Sequence, residues 1–185
     1  KFKKKHVGNF GEAGCFSFYP TKNITTIEGG MVITNNSDVA NYVRSARNHG
    51  ITKSLSQRYS NGKPWDYDIL ESGYNYRLDE IRSSLGLSQL KKIYSLNLLR
   101  QKAFRYYNQE LKKIPGIITP SVSKKNNDAY HLYIIKIQNP YKLSRDELFE
   151  KLLESGISTS VHFKPLHKFT TFKKTIHKTD LKNSE

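Results

Sequence analysis

The chain has 185 residues, 36% hydrophobic and 12% aromatic, with 12 tyrosines and 9 phenylalanines, a composition that belongs to a folded protein rather than a disordered one. A single cysteine excludes an intrachain disulfide and suits a reducing cytoplasm, and no apolar run approaches membrane-spanning length. The 31 Lys+Arg against 16 Asp+Glu give +15, a balance that attracts polyanions: nucleic acid, an anionic membrane surface or, equally, a nucleotide-linked sugar. The basic residues are scattered, without zinc-ligand spacing or a recognised nucleic-acid module, which leaves nucleic-acid binding the lesser reading.

Residues 1–14 are polar and glycine-rich and read as a loop feeding a strand. Cys15, Phe16 and Phe18 suit a buried strand, and Pro20 ends it by removing a ladder donor. Gly29 and Gly30 permit a tight turn, and the β-branched run after Met31 reads as the next strand. Between them lies one cation, Lys22, beside the hydroxyl residues Ser17, Thr21, Thr25 and Thr26. A lysine set between apolar strands can act as a nucleophilic amine, and the hydroxyls can donate to a phosphate. The plainer alternative is a surface lysine in a threonine-rich hairpin.

Residues 36–47 read as a helix capped by Asn36 or Ser37, with Val39, Tyr42, Val43 and Ala46 on its apolar face and Gly50 beyond its end. His49 falls in that stop and reads as a loop histidine. Residues 51–72 lack periodicity and read as a long loop leading into Gly73-Tyr-Asn-Tyr-Arg77, where Asn75 suits a turn. An amphipathic helix is predicted over 78–90 and a longer one over about 91–114, stopped by Pro115-Gly116. Strands are predicted at 130–138 and 157–163, around a helix over 144–154 whose Ser144 and Glu147 form a capping box. Strand–helix–strand packing gives a small α/β unit. His162 and His167, with Lys164 between them, can bind a metal or act as acid and base, but no nearby ligand set completes a metal site.

Three separated segments carry a resemblance. Ser17-Phe-Tyr-Pro-Thr-Lys-Asn-Ile-Thr-Thr-Ile-Glu-Gly-Gly30, then Gly73-Tyr-Asn-Tyr-Arg77 with the helix that follows, then Val161-His-Phe-Lys-Pro-Leu-His167 occur here in that order. Together they resemble the DegT/DnrJ/EryC1/StrS family of pyridoxal-phosphate-dependent sugar aminotransferases. The resemblance implies an α/β fold-type I transferase. Residues 1–92 would be the later part of the cofactor-binding large domain, and 93–185 a small α/β domain. The family's upstream aspartate, phosphate loop and ring-stacking aromatic have no counterpart here, and further sequence usually closes the small domain. The expectation is therefore a chain incomplete at both ends.

The resemblance also implies roles. Lys22 would hold pyridoxal phosphate as a Schiff base and serve as general acid and base; some relatives carry histidine at that position and perform dehydration, and the lysine here argues against that variant. Ser17 would touch the cofactor phosphate, Asn75 would reach the phosphate of a neighbouring subunit's cofactor in a homodimer, and His162 would lie near the sugar. The expected reaction moves an amino group, with glutamate as donor, to a nucleotide-linked keto-sugar for surface glycans. The wording is similar to enzymes of the UDP-4-amino-sugar and perosamine type. The expected setting is cytoplasmic, with no metal, nucleic acid or membrane partner. An inactive relative of the same fold and a basic nucleic-acid-binding protein are the alternatives.

Overall fold

The computed structural model describes residues 2–60, 62–122, 128–173 and 181. They fall into two compact units, 1–113 with 119–135, and 114–118 with 136–185. In the first unit, β1 (Gly14–Ser17) pairs antiparallel with β2 (Gly30–Ile33), with Gly14 opposite Ile33 and Ser17 opposite Gly30. The hairpin fits the sequence expectation in position but not in burial. Gly14 is buried, whereas Phe16, Met31 and Val32 remain 43%, 48% and 38% exposed. A two-stranded sheet cannot cover both of its own faces.

Helix α1 (Ser37–Ala46) starts where its cap does: the Asn36 carboxamide oxygen accepts from the backbone N–H groups of Asp38 and Val39. His49 and Gly50 follow with φ of 62° and 75°, turning the chain out of the helix. Residues 51–72 are more ordered than a loop reading implies. They hold a short helix α2 (Leu55–Ser60), and the arms beside it run antiparallel, with Ile51 bridged to Ile69 and Asn48 to Asn75. Cross-strand pairing of so few residues leaves no alternating pattern to read.

The two helices expected over 78–90 and 91–114 are one helix, α3 (Glu80–Leu111), of 32 residues, and it passes through residue 92 unbroken. Asp79 caps it, accepting from the Arg82 N–H at 2.8 Å. One face of α3 carries Gly86, Asn97, Gln101, Phe104 and Asn108, since steps of 11, 4, 3 and 4 residues return near the same angle at about 100° per residue. Phe104 is the buried apolar side chain of the described residues, and the rings of Tyr130 and Tyr133 meet it edge-on at 5.2 and 4.7 Å. The Tyr133 hydroxyl donates to Asn108 Oδ1 at 2.8 Å, and burial pushes its phenol above the ordinary value. The opposite face leaves Ile81 and Leu99 83% and 62% exposed, and Leu87 and Tyr94 at the edge of the packed face are 63% and 76% exposed.

In the second unit, β3 (Ile117–Ile118) pairs antiparallel with β4 (Lys136–Ile137). The strand expected over 130–138 thus shrinks to two residues. Its aromatic half, Tyr130 to Tyr133, packs on α3 instead, so the same residues that suit a strand are used as ring contacts. Helix α4 (Arg145–Glu154) has the expected capping box, Ser144 N–H donating to Glu147 Oε2 at 2.8 Å and Glu147 N–H to Ser144 Oγ at 3.3 Å. Gly156, at φ 76°, ends it. The expected strand over 157–163 is absent from the described structure: those residues find no paired neighbour and run on into a 3-10 turn (Leu166–Lys168) and α5 (Thr170–Lys173).

Candidate active site

The loop between β1 and β2 is closed at its base by its own hydroxyls. Phe18 N–H donates to Gly29 O at 2.9 Å, and Thr26 N–H to Phe18 O at 3.0 Å. Thr25 Oγ1 donates to Phe18 O at 3.0 Å while accepting from Ile27 N–H at 2.8 Å. Thr26 Oγ1 donates to Glu28 O at 2.9 Å and is 3% exposed as a residue. These two threonines are therefore committed to the turn and are not phosphate donors, a correction to the sequence reading. Gly29 has a steric reason to be glycine: a Cβ there would stand 2.2 Å from Thr26 Oγ1.

The hairpin is seated on α3. A Cβ at Gly86 would come within 2.8 Å of Thr26 Cγ2, so the missing side chain is what lets the helix approach. Three turns further along, Asn97 Oδ1 accepts from Asn23 Nδ2 at 3.0 Å, and the same amide donates to the carbonyl of Ala129. Lys22 lies half-buried at the tip, its N–H donating to Tyr19 O at 2.9 Å. Ser17 Oγ accepts from Tyr19 N–H at 3.3 Å, which leaves the hydroxyl hydrogen to donate elsewhere.

The structure brings Ser17 and Lys22 onto one hairpin. Asn75 lies on a different segment, where backbone bonds from Tyr74 N–H to Ala46 O (2.6 Å) and Tyr76 N–H to Arg47 O (2.9 Å) pin it beside the end of α1. Its Oδ1 accepts from Arg77 Nε at 3.2 Å, and the rings of its chain neighbours Tyr74 and Tyr76 stack on each other at 4.9 Å. His162 belongs to the second unit, its ring 3.9 Å from that of Phe163. In the same unit an open pocket of ≈ 570 Å³ is lined by Asp146, Phe149, Glu150, Thr159, Ser160 and Val161, and His162 is not part of its lining. Arg145 Nε, 2.7 Å from Asp146 Oδ1, holds that carboxyl below its ordinary value by hydrogen bonding and charge.

One element of this site was missed in the sequence. Asn23, Asn97, Gln101 and Asn108 form a line of carboxamides with no motif of their own. The signal available was the amides at 97, 101 and 108, which fall on the same helical stripe as Phe104, polar residues where an apolar stripe expects none.

The family match and the superposition on solved sugar aminotransferases place this mixed helix–strand chain in a class: it is part of a fold-type I pyridoxal-phosphate transferase. The chain belongs to the DegT/DnrJ/EryC1/StrS aminotransferase family, whose sequence pattern matches residues 1–185. It is 35% identical over 185 residues to the UDP-4-amino-4,6-dideoxy-N-acetyl-beta-L-altrosamine transaminase of Campylobacter jejuni strain 81-176, covering 100% of this chain and 47% of that one. Helicobacter pylori PseC, an aminotransferase of pseudoaminic acid biosynthesis, superposes with a TM-score of 0.86 at 32% identity, over 100% of this chain and 47% of PseC. Spr1654 of Streptococcus pneumoniae, solved in its PMP form, superposes with a TM-score of 0.80 at 26% identity, over 98% of this chain and 46% of that one. The chain spans about half the length of the curated relatives it matches. Among the described residues no helix is long and apolar enough to cross a membrane.

The family and the PLP and PMP forms of its solved members imply pyridoxal phosphate. The donor chemistry here fits that group: one half-buried primary amine for an aldehyde, and a serine hydroxyl with its hydrogen unspent for a phosphate.

Proposed function

We propose that the intact protein is a pyridoxal-phosphate-dependent aminotransferase that moves an amino group from an amino acid, glutamate in our reading, to a keto-sugar carried on a nucleotide. The observation that carries this is Lys22 at the tip of the β1–β2 hairpin, held over α3 with Ser17 on the same hairpin, in a chain of this family. When bound, the cofactor supplies an aldehyde for the lysine amine and a ring that takes up the electrons of the substrate's broken C–H bond. Lys22 Nζ anchors the cofactor and, once displaced by the donor's amine, carries a proton from the donor's α-carbon. Ser17 Oγ donates to the phosphate. Asn75 Nδ2 reaches the phosphate of a second subunit's cofactor, which makes the working enzyme a homodimer, and His162 contacts the sugar. A chain of net charge +15 favours the doubly anionic diphosphate of a sugar nucleotide. A 4-keto sugar on UDP is the acceptor in this reading, supported by the relative named for a UDP-linked 4-amino sugar, and the product is destined for surface glycans, made in the cytoplasm.

The test is transfer of a heavy-nitrogen label. The intact protein, given pyridoxal phosphate, ¹⁵N-glutamate and a panel of UDP-linked 4-keto sugars, is expected to yield a ¹⁵N-amino sugar and 2-oxoglutarate in equal amounts. A folded protein that transfers no label to any keto-sugar nucleotide contradicts the proposal and favours an inactive relative.

A further inference from the structure

We infer that Asn23 is the positioning residue for Lys22, setting where the lysine amine is presented by tying its loop to α3 and to residues 128–130; this rests on the cofactor role proposed for Lys22. Residues 19–24 form the tip of the hairpin. Among the described residues, both hydrogen bonds that leave this tip for another segment come from the Asn23 carboxamide: one to Asn97 Oδ1 at 3.0 Å, one to the Ala129 carbonyl. They span 74 and 106 positions of sequence, so neither is a by-product of the turn. The remaining bonds of the tip, Lys22 N–H to Tyr19 O and Tyr19 N–H to Ser17 Oγ, are local and fix only its curvature.

A lysine side chain has four rotatable bonds, so the amine's position is set by the backbone it leaves and by what it meets at its end. The backbone at Lys22 is one residue from the double anchor. The seam continues along the same stripe of α3. Gln101 Nε2 donates to the Tyr130 hydroxyl at 2.9 Å, one residue past Ala129, and Tyr130 packs on buried Phe104. Asn23 therefore holds the lysine loop to the best-packed part of the unit. A positional error of about 1 Å at a reacting group can cost about a hundred-fold in rate. One part-buried and one exposed hydrogen bond, both from a single carboxamide, are enough to decide an error of that size.

Three substitutions separate the terms. Asn23→Ala removes both bonds, Asn97→Leu removes one, and Asn97→Asp keeps the acceptor that Asn23 Nδ2 needs. Hydrogen exchange on the intact, cofactor-free protein reads the tether directly. Amide exchange at residues 19–24 is expected to rise about ten-fold in Asn23→Ala, less in Asn97→Leu, and to stay unchanged in Asn97→Asp, with residues 100–108 protected throughout. With pyridoxal phosphate added, the rate of borohydride-trapped label on Lys22 is expected to fall about ten-fold in Asn23→Ala, and the pH midpoint of the bound cofactor's visible band to move. Asn97→Asp is expected to leave both at the values of the unsubstituted protein.

Unchanged exchange in Asn23→Ala overturns the tether. Raised exchange with an unaltered trapping rate and midpoint overturns the positioning role. Failure of Asn97→Asp to outperform Asn97→Leu overturns the assignment of Asn97 as the acceptor that matters. Absence of label on Lys22 in the unsubstituted protein is a separate result, since it removes the cofactor reading before any variant is compared.

Discussion

The Lys22 hairpin and the segment from Gly156 to Lys168 carry two of the three sequence stretches that point to an active site, yet they are built differently. The hairpin satisfies its backbone within itself, through the Phe18–Gly29 and Thr26–Phe18 bonds, and then seats Thr26 against Gly86 and Asn23 against Asn97. The segment at 157–165 has no such closure, and its apolar side chains Ile157, Val161 and Phe163 stay 52%, 43% and 75% exposed. A functional residue on the first is fixed by contacts made inside this unit. Among the described residues, one on the second has no comparable set of contacts. The backbone at Lys22 is thus tied down within its unit, and that at His162 is less so.

Substitution of the two residues should break the comparison most visibly. Lys22→Ala is expected to lower amino transfer by about a thousand-fold or more, the scale of losing a nucleophile that also moves the proton. His162→Ala is expected to raise KM a few-fold with kcat little changed. Equal losses from both would erase the distinction.

The stability of the hairpin's seat gives the next effects. Phe104→Ala, which empties the packed centre between Tyr130 and Tyr133, is expected to cost about 3 kcal/mol by denaturant unfolding. Gly86→Ala sharpens the test because two terms oppose. Helix propensity favours alanine by about 1 kcal/mol, while pressing a Cβ to 2.8 Å from the stiff, buried Thr26 costs about 1–3 kcal/mol. The crowding term is expected to win by about 1 kcal/mol, and Thr26→Ser, which deletes the opposing methyl, should remove the penalty.

The smallest effect lies at α4. Ser144→Ala is expected to cost about 1 kcal/mol as a lost cap. The hydroxyl and backbone N–H of Ser144 hold Glu147 below its ordinary carboxyl value. A lowered folded value means that the contribution is complete above the unfolded value near 4.5 and fades as pH falls through the folded one. The protection factors of amides in the first turn of α4, taken against the intrinsic exchange rate at each pH, should fall on acidification below that point, and less so in Ser144→Ala.

What the sequence made legible follows the same division. The β1–β2 hairpin, α1 with Asn36 and α4 with Ser144 were readable because caps, glycines and turn residues act over a few positions. The continuity of α3 was harder to see, since Gly86 and a change of polarity near Lys91 look like a boundary until the packing face is known. Strand pairing at 130–138 and 157–163 was not readable. The aromatic residues Tyr130 and Tyr133 suit a strand as well as ring contacts on α3, and at 157–163 the β-branched residues have no paired strand among the described residues. The Asn23 seam joins residues 74 and 106 positions apart and has no local signature at all.

The most direct measurement is the site of covalent attachment. The intact protein is incubated with pyridoxal phosphate, reduced with borohydride, digested, and mapped by mass spectrometry. A single dominant adduct on Lys22, lost in Lys22→Ala while the fold persists, is the result this account predicts. A folded protein with no adduct, or with label spread over its other lysines in proportion to their exposure, would contradict it.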